Sequence, residues 1–82
     1  MKILYFSWLR ECIGLSSEIY TTDQTTINGL IEELINREPR YEKAFGNLKI
    51  IKVAIDHELI ADMETSIVGV NEIAFFPPMT GG

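Results

Sequence analysis

Ile27, Leu30, Ile31, Leu34 and Ile35 recur at i, i+3, i+4, i+7 and i+8, which gives this chain one helix with a single apolar face. Thr25 or Thr26 stands where an N-cap belongs, and Pro39 stops the helix at Glu38 or just before it. Glu32, Glu33, Asn36 and Arg37 fall off the stripe and face water. A helix of this kind must lay its stripe on another apolar layer, and the remaining segments have to supply it. Gly29 inside the helix costs about 1 kcal/mol relative to alanine, so a close approach of helix to sheet is expected to offset it.

The other segments read as strands. Lys2 to Trp8 is rich in aromatic and β-branched residues and forms the first. Leu9 to Gly14 is a short helical turn closed by the glycine, and Ser17 to Thr22 is the second strand, so the pair makes a wide hairpin. After the helix, Tyr41 to Asn47 is an irregular connection with a helical turn around Glu42 to Phe45. Lys49 to Asp56 alternates clearly, His57-Glu58 turns, and Leu59-Ile60 starts a short return strand. Asp62 to Val70 is a loop anchored by Met63, Ile67 and Val68, and Ile73 to Phe76 is the last strand. The order is that of an α+β fold, a mixed sheet with one long helix packed on one face.

Lys2 and Lys52 should face water, which assigns the two faces. Leu4, Phe6, Trp8 and Ala54 then lie on the open face, with Ile3, Tyr5, Ile51, Val53 and Ile55 against the helix. The unbroken apolar run of the last strand puts it between the first and third, Ile73 and Phe75 inward, Ala74 and Phe76 outward. An apolar patch around Phe6 and Phe76, extended by Leu59, is left uncovered, and such patches mark protein partners.

Composition excludes several classes of function. The chain has 82 residues, enough for one domain, and its 46% hydrophobic and 23% charged content is ordinary for a globular protein. No run reaches a membrane span, and charges soon interrupt Met1 to Phe6, so neither a membrane nor a signal peptide is expected and a cytoplasmic location is. One cysteine, Cys12, forms no internal disulfide and agrees with a reducing compartment. The net charge of −5 speaks against nucleic acid and for a partner with a basic docking surface. His57 stands alone in a turn, Cys12 has no activating neighbour but Arg10, and Glu32-Glu33 reads as a solvated helix face. No metal-ligand spacing or glycine-rich phosphate loop is present, so the residues favour a carrier over an enzyme.

The closing stretch Glu72-Ile-Ala-Phe-Phe-Pro-Pro-Met-Thr-Gly-Gly82 indicates what would be carried. Pro77 and Pro78 make a stiff stalk on the folded body, residues 1–78, and residues 79–82 extend from it as a tail. From Met79 through Thr80 to Gly82 the tail reaches about 13–14 Å when extended. Gly81 and Gly82 give the thinnest tip a peptide can have, able to enter a narrow tunnel. The Gly82 α-carboxylate is the reactive group, open to activation by ATP as an acyl adenylate.

The ending Phe75-Phe-Pro-Pro-Met-Thr-Gly-Gly82, with Tyr5-Phe-Ser-Trp-Leu-Arg-Glu11 and Gly14 near the start, resembles the small subunits of molybdopterin synthase, ubiquitin-like sulfur carriers of the β-grasp fold. Val70-Asn71 replaces the family's usual Gly-Asp, and Asp56 stands where Asn is common; both lie in turns. The resemblance implies that a ubiquitin-activating-like adenylyltransferase consumes ATP to adenylate Gly82, and that a sulfur donor protein then converts it to a thiocarboxylate. The tail would insert into the large subunit and give sulfur to cyclic pyranopterin monophosphate, making the dithiolene, within a heterotetramer. No cofactor would be bound permanently. Phe6, Arg10, Leu59, Phe76, Pro77, Pro78, Met79 and Thr80 would meet partners, with Gly81 and Gly82 at the chemistry. The alternatives are a carrier of another pathway, such as thiamine thiazole synthesis, a ubiquitin-like protein modifier, and a binding module whose tail is inert.

Overall fold

A computed structural model describes residues 1–46 and 50–77. Its strands are β1 (Lys2–Tyr5), β2 (Ser17–Ile19), β3 (Lys52–Ile55), β4 (Glu58–Ile60) and β5 (Glu72–Phe76); its helices are α1 (Ser7–Ile13), α2 (Ile27–Arg37) and α3 (Pro39–Ala44). The sheet order is β2-β1-β5-β3-β4, with β1 and β5 parallel and the other neighbours antiparallel. The last strand therefore lies between the first and third, in a mixed sheet with the β-grasp arrangement.

Alternation within the strands divides the sheet as the lysines require. Ile3, Tyr5, Val53, Ile73 and Phe75 are buried together with Ile27, Leu30, Ile31 and Leu34 of α2, and Ile51 joins them just ahead of β3. Ile55 and Ile35 are half-buried against this core. Thr26 is the N-cap of α2, its hydroxyl accepting the Gly29 N–H at 3.1 Å. The loop before β5 holds the same helix end: Ile27 N–H and Asn28 N–H donate to the carbonyls of Thr65 and Met63. Ile67 and Met63 anchor this loop, whereas Val68 is exposed and anchors nothing.

Several boundaries differ from those the sequence suggests. The first strand stops at Tyr5 and Trp8 leaves the sheet, because α1 begins at Ser7 to bury Leu9 and Ile13, four residues apart on one helix face. Ser7 makes the corner with a positive φ of 55°. β2 ends at Ile19, short of Thr22. Pro39 also opens a helix at its first position, where the missing N–H is no loss, and α3 buries Tyr41 and Ala44 where an irregular connection was expected. Among the described residues three helices thus share the core, α2 the longest of them. β3 begins at Lys52; Asn47 and Lys49 of the expected segments lie outside the described residues. A Cβ on Gly29 would meet Gln24 Oε1 at 2.5 Å and Thr26 Oγ1 at 3.3 Å, so its tight neighbours are the cap residues and not the sheet.

Candidate functional site

The register of β1, β5, β3 and β4 builds one continuous apolar row on the open face. Leu4 stands beside Ser17 on β2 and Ala74 on β5, Ala74 beside Ala54 on β3, and Ala54 beside Leu59 on β4. Next to this row, Phe6 and Phe76 meet edge to face, their ring centroids 6.3 Å apart at 83°. Phe6 is held there because its N–H continues the ladder to the Phe75 carbonyl at 3.1 Å before α1 turns away. Phe6 is 44% exposed and Leu59 66%, so both remain available to a partner. The two alanines leave the centre of the face shallow between these larger side chains.

The chain leaves this face through Pro77, the half-buried residue that follows Phe76. Phe6, Phe76, Pro77 and Leu59 are therefore gathered on or beside one surface, as expected from alternation. Arg10 stands apart on α1, exposed, and enters no ion pair or cation–π contact among the described residues. Pro78, Met79, Thr80, Gly81 and Gly82 lie outside the described residues.

The opposite side of the sheet holds a polar cluster that the sequence did not disclose. Glu18 points to the helical side, where its Oε2 accepts the hydroxyls of Tyr5 at 2.8 Å and Tyr41 at 2.6 Å, and its Oε1 accepts from Arg37 at 3.0 Å. The Arg37 guanidinium lies 4.8 Å from the ring centroids of both Tyr20 and Tyr41. Burial works against the Glu18 charge, but the hydrogen bonds from Tyr41, Tyr5 and Arg37 outweigh it and hold the carboxyl below its ordinary value. Burial, and then Glu18, push the hydroxyls of Tyr5 and Tyr41 upward. Neutral phenols facing a charged carboxylate make a structural tie between β2 and the helices. Glu18 reaches this side because it stands beside Ile3 in the β1–β2 register, which the sequence alone does not give.

Among the described residues no three His, Cys, Asp or Glu side chains come together as a metal site needs. His57 is at the tip of the β3–β4 hairpin, its Nδ1 3.9 Å from Glu72 Oε1, and Cys12 is half-buried in α1. No helix among the described residues is long and apolar enough to cross a membrane.

A β-grasp sheet with α2 on one side, an apolar open face and a proline at the exit of its last strand defines a ubiquitin-like domain. The chain belongs to the ThiS family, whose sequence model matches residues 3–82. It is 33% identical over 82 residues to the molybdopterin synthase sulfur carrier subunit of Haemophilus influenzae and 28% identical to that of Escherichia coli, spanning all of this chain and 99% of each relative. The crystal structure of SAMP1 from Haloferax volcanii superposes with a TM-score of 0.75 at 25% identity, over 100% of this chain and 98% of that one.

Proposed function

We propose that this chain is the sulfur-carrier subunit of a molybdopterin synthase, and that Gly82 carries the sulfur as a thiocarboxylate. The observation that carries this reading is its correspondence with the carrier of H. influenzae, at 33% identity over 100% of this chain and 99% of that one. The apolar face at the root of the tail supports it, since a carrier must dock before its terminus can be used.

The chemistry follows from what a C-terminal carboxylate lacks. It is a poor acyl donor at neutral pH, and an adenylyltransferase that joins it to AMP from ATP supplies the leaving group. The persulfide of a sulfur donor protein then attacks the acyl carbon and AMP departs, leaving an acyl disulfide; a second thiol joins the donor's own sulfur in a disulfide and releases the soft thiocarboxylate. Gly81 and Gly82 let that group pass into a pocket of the large subunit, where cyclic pyranopterin monophosphate receives the sulfur. Phe6, Leu59, Phe76, Pro77 and Arg10 hold the carrier body against its partner, and Pro78, Met79 and Thr80 meet the partner ahead of Gly81 and Gly82. The catalytic groups are those of the large subunit, so this chain is a reactant and a docking surface, in a cytoplasmic heterotetramer with no permanently bound cofactor.

Intact-mass measurement of the chain purified from its own host, with fragmentation to locate changes, tests the reading. The expected result is a fraction with one oxygen of Gly82 replaced by sulfur. A terminus joined only to lysines of other proteins would overturn it in favour of a modifier.

A further inference from the structure

The open face combines the apolar row with a cation at the root of the tail. Lys52 is directly opposite Phe76 in the β3–β5 register and is exposed. Lys2, the other lysine of this face, has Glu72 as its neighbour in register on β5, a counter-charge within the same row. Lys52 has none: among the described residues the ion pairs are Arg37 with Glu18, Arg40 with Glu38, and His57 with Glu72. A partner that covers Phe6 and Phe76 also takes water from the Lys52 ammonium, whose stem can lie along the Phe76 ring. An ammonium desolvated without a counter-charge is strongly unfavourable, so the covering surface has to supply one.

We propose that Lys52 is a specificity contact of the docking face, and that the large-subunit surface seated on Phe6 and Phe76 presents a carboxylate to it. This inference rests on the carrier reading above. It reverses, for this spot, the expectation that an acidic chain of net charge −5 calls for a basic partner surface. The attraction at the tail root is local, and the rest of the chain opposes it at long range. Lys52 therefore favours partners by where their carboxylate sits and disfavours a basic surface at that place.

Binding of the intact chain to the large subunit from the same host, measured by calorimetry between low and high salt, tests the proposal with four variants. Lys52→Glu should weaken binding roughly three- to tenfold at low ionic strength, with the gap closing as salt rises, and Lys52→Gln should fall between it and the parent. Lys43→Glu on α3 makes the same change in net charge on another element and should stay within about twofold. Equal losses for Lys43→Glu and Lys52→Glu, or parental affinity for Lys52→Glu, would overturn the assignment of Lys52. Phe76→Asp separates this failure from that of the reading beneath it: if it binds poorly while Lys52→Glu binds normally, the docking face stands without the lysine, and if both bind normally the face itself is wrong.

Discussion

Asp56 and Glu72 grip each other in both directions. The Asp56 backbone N–H donates to the Glu72 carbonyl at 2.9 Å, and the Asp56 carboxylate Oδ1 accepts the Glu72 N–H at 2.9 Å and that of Asn71 at 3.1 Å. The tip of the β3–β4 hairpin is thereby fixed to the start of β5. Asp56 and His57 both have positive φ, 47° and 73°, as a two-residue hairpin turn of the primed type requires.

From that geometry, Asp56→Ala should lose about 1–3 kcal/mol of stability, since two N–H groups lose their acceptor and alanine tolerates positive φ poorly. Asp56→Asn keeps Oδ1 and suits the left-handed region, so it should lose less than about 1 kcal/mol. Urea denaturation of the two variants checks this; equal losses would mean that the carboxylate is not the tie.

The Glu18 cluster should make stability depend on pH in acid. Its carboxyl is held below the ordinary 4.5 in the folded state, so its contribution is fully present above that value and is lost as pH falls through the folded-state pKa. Glu18→Gln should reduce stability by about 1–3 kcal/mol near neutrality. The difference from the parent should shrink once the pH drops below 4.5. Thermal unfolding across this range reads the effect, and a constant difference would locate the loss in shape rather than charge.

Gly29→Ala sets helix propensity against the N-cap. The gain is about 1 kcal/mol at most, because Gly29 sits in the first turn of α2. Gln24 is exposed and its amide can swing away, while the Thr26 hydroxyl must give by a few tenths of an ångström. The expected outcome is a small rise in Tm; a fall would show that the Thr26 cap cannot yield.

Phe76→Asp should weaken binding to the large subunit at least about tenfold while the fold, followed by circular dichroism, is retained. Phe6→Ala should act in the same direction through loss of the edge-to-face contact. Parental affinity for both would remove the aromatic pair from the interface.

Alternation and the two lysines made the sheet faces legible. A strand with Ile3 and Tyr5 on one side of Lys2 and Leu4 has one sensible orientation, and the central place of the last strand followed from its unbroken apolar run. The same alternation placed Phe6 and Phe76, extended by Leu59, on one surface before their register was known. What stayed hidden depended on contacts between distant segments. Leu9 and Ile13 show helical spacing, yet the aromatic run before them prolonged the strand reading to Trp8. Pro39 marks the end of one helix and the start of another by the same lack of an N–H, and the sequence alone favoured only the first role. Glu18, Tyr5, Arg37 and Tyr41 come from four separate elements, so no local pattern could assemble them. Lys52 was read correctly as solvent-facing, but its place opposite Phe76 required the β3–β5 register.

The parallel pairing of β1 with β5 sets an order on the life of the molecule. The strand that roots the tail is the last to be synthesised, and its central partner is among the first residues made. Long-range pairings of this kind close late in folding, after the intervening chain has collapsed. A chain that stops short of β5 lacks Phe75 and Phe76 themselves and leaves β1 and β3 without the strand between them, so it would have neither the aromatic pair nor the exit at Pro77. The paired aromatic surface is thus a property of the finished fold, and an incomplete chain would lack it.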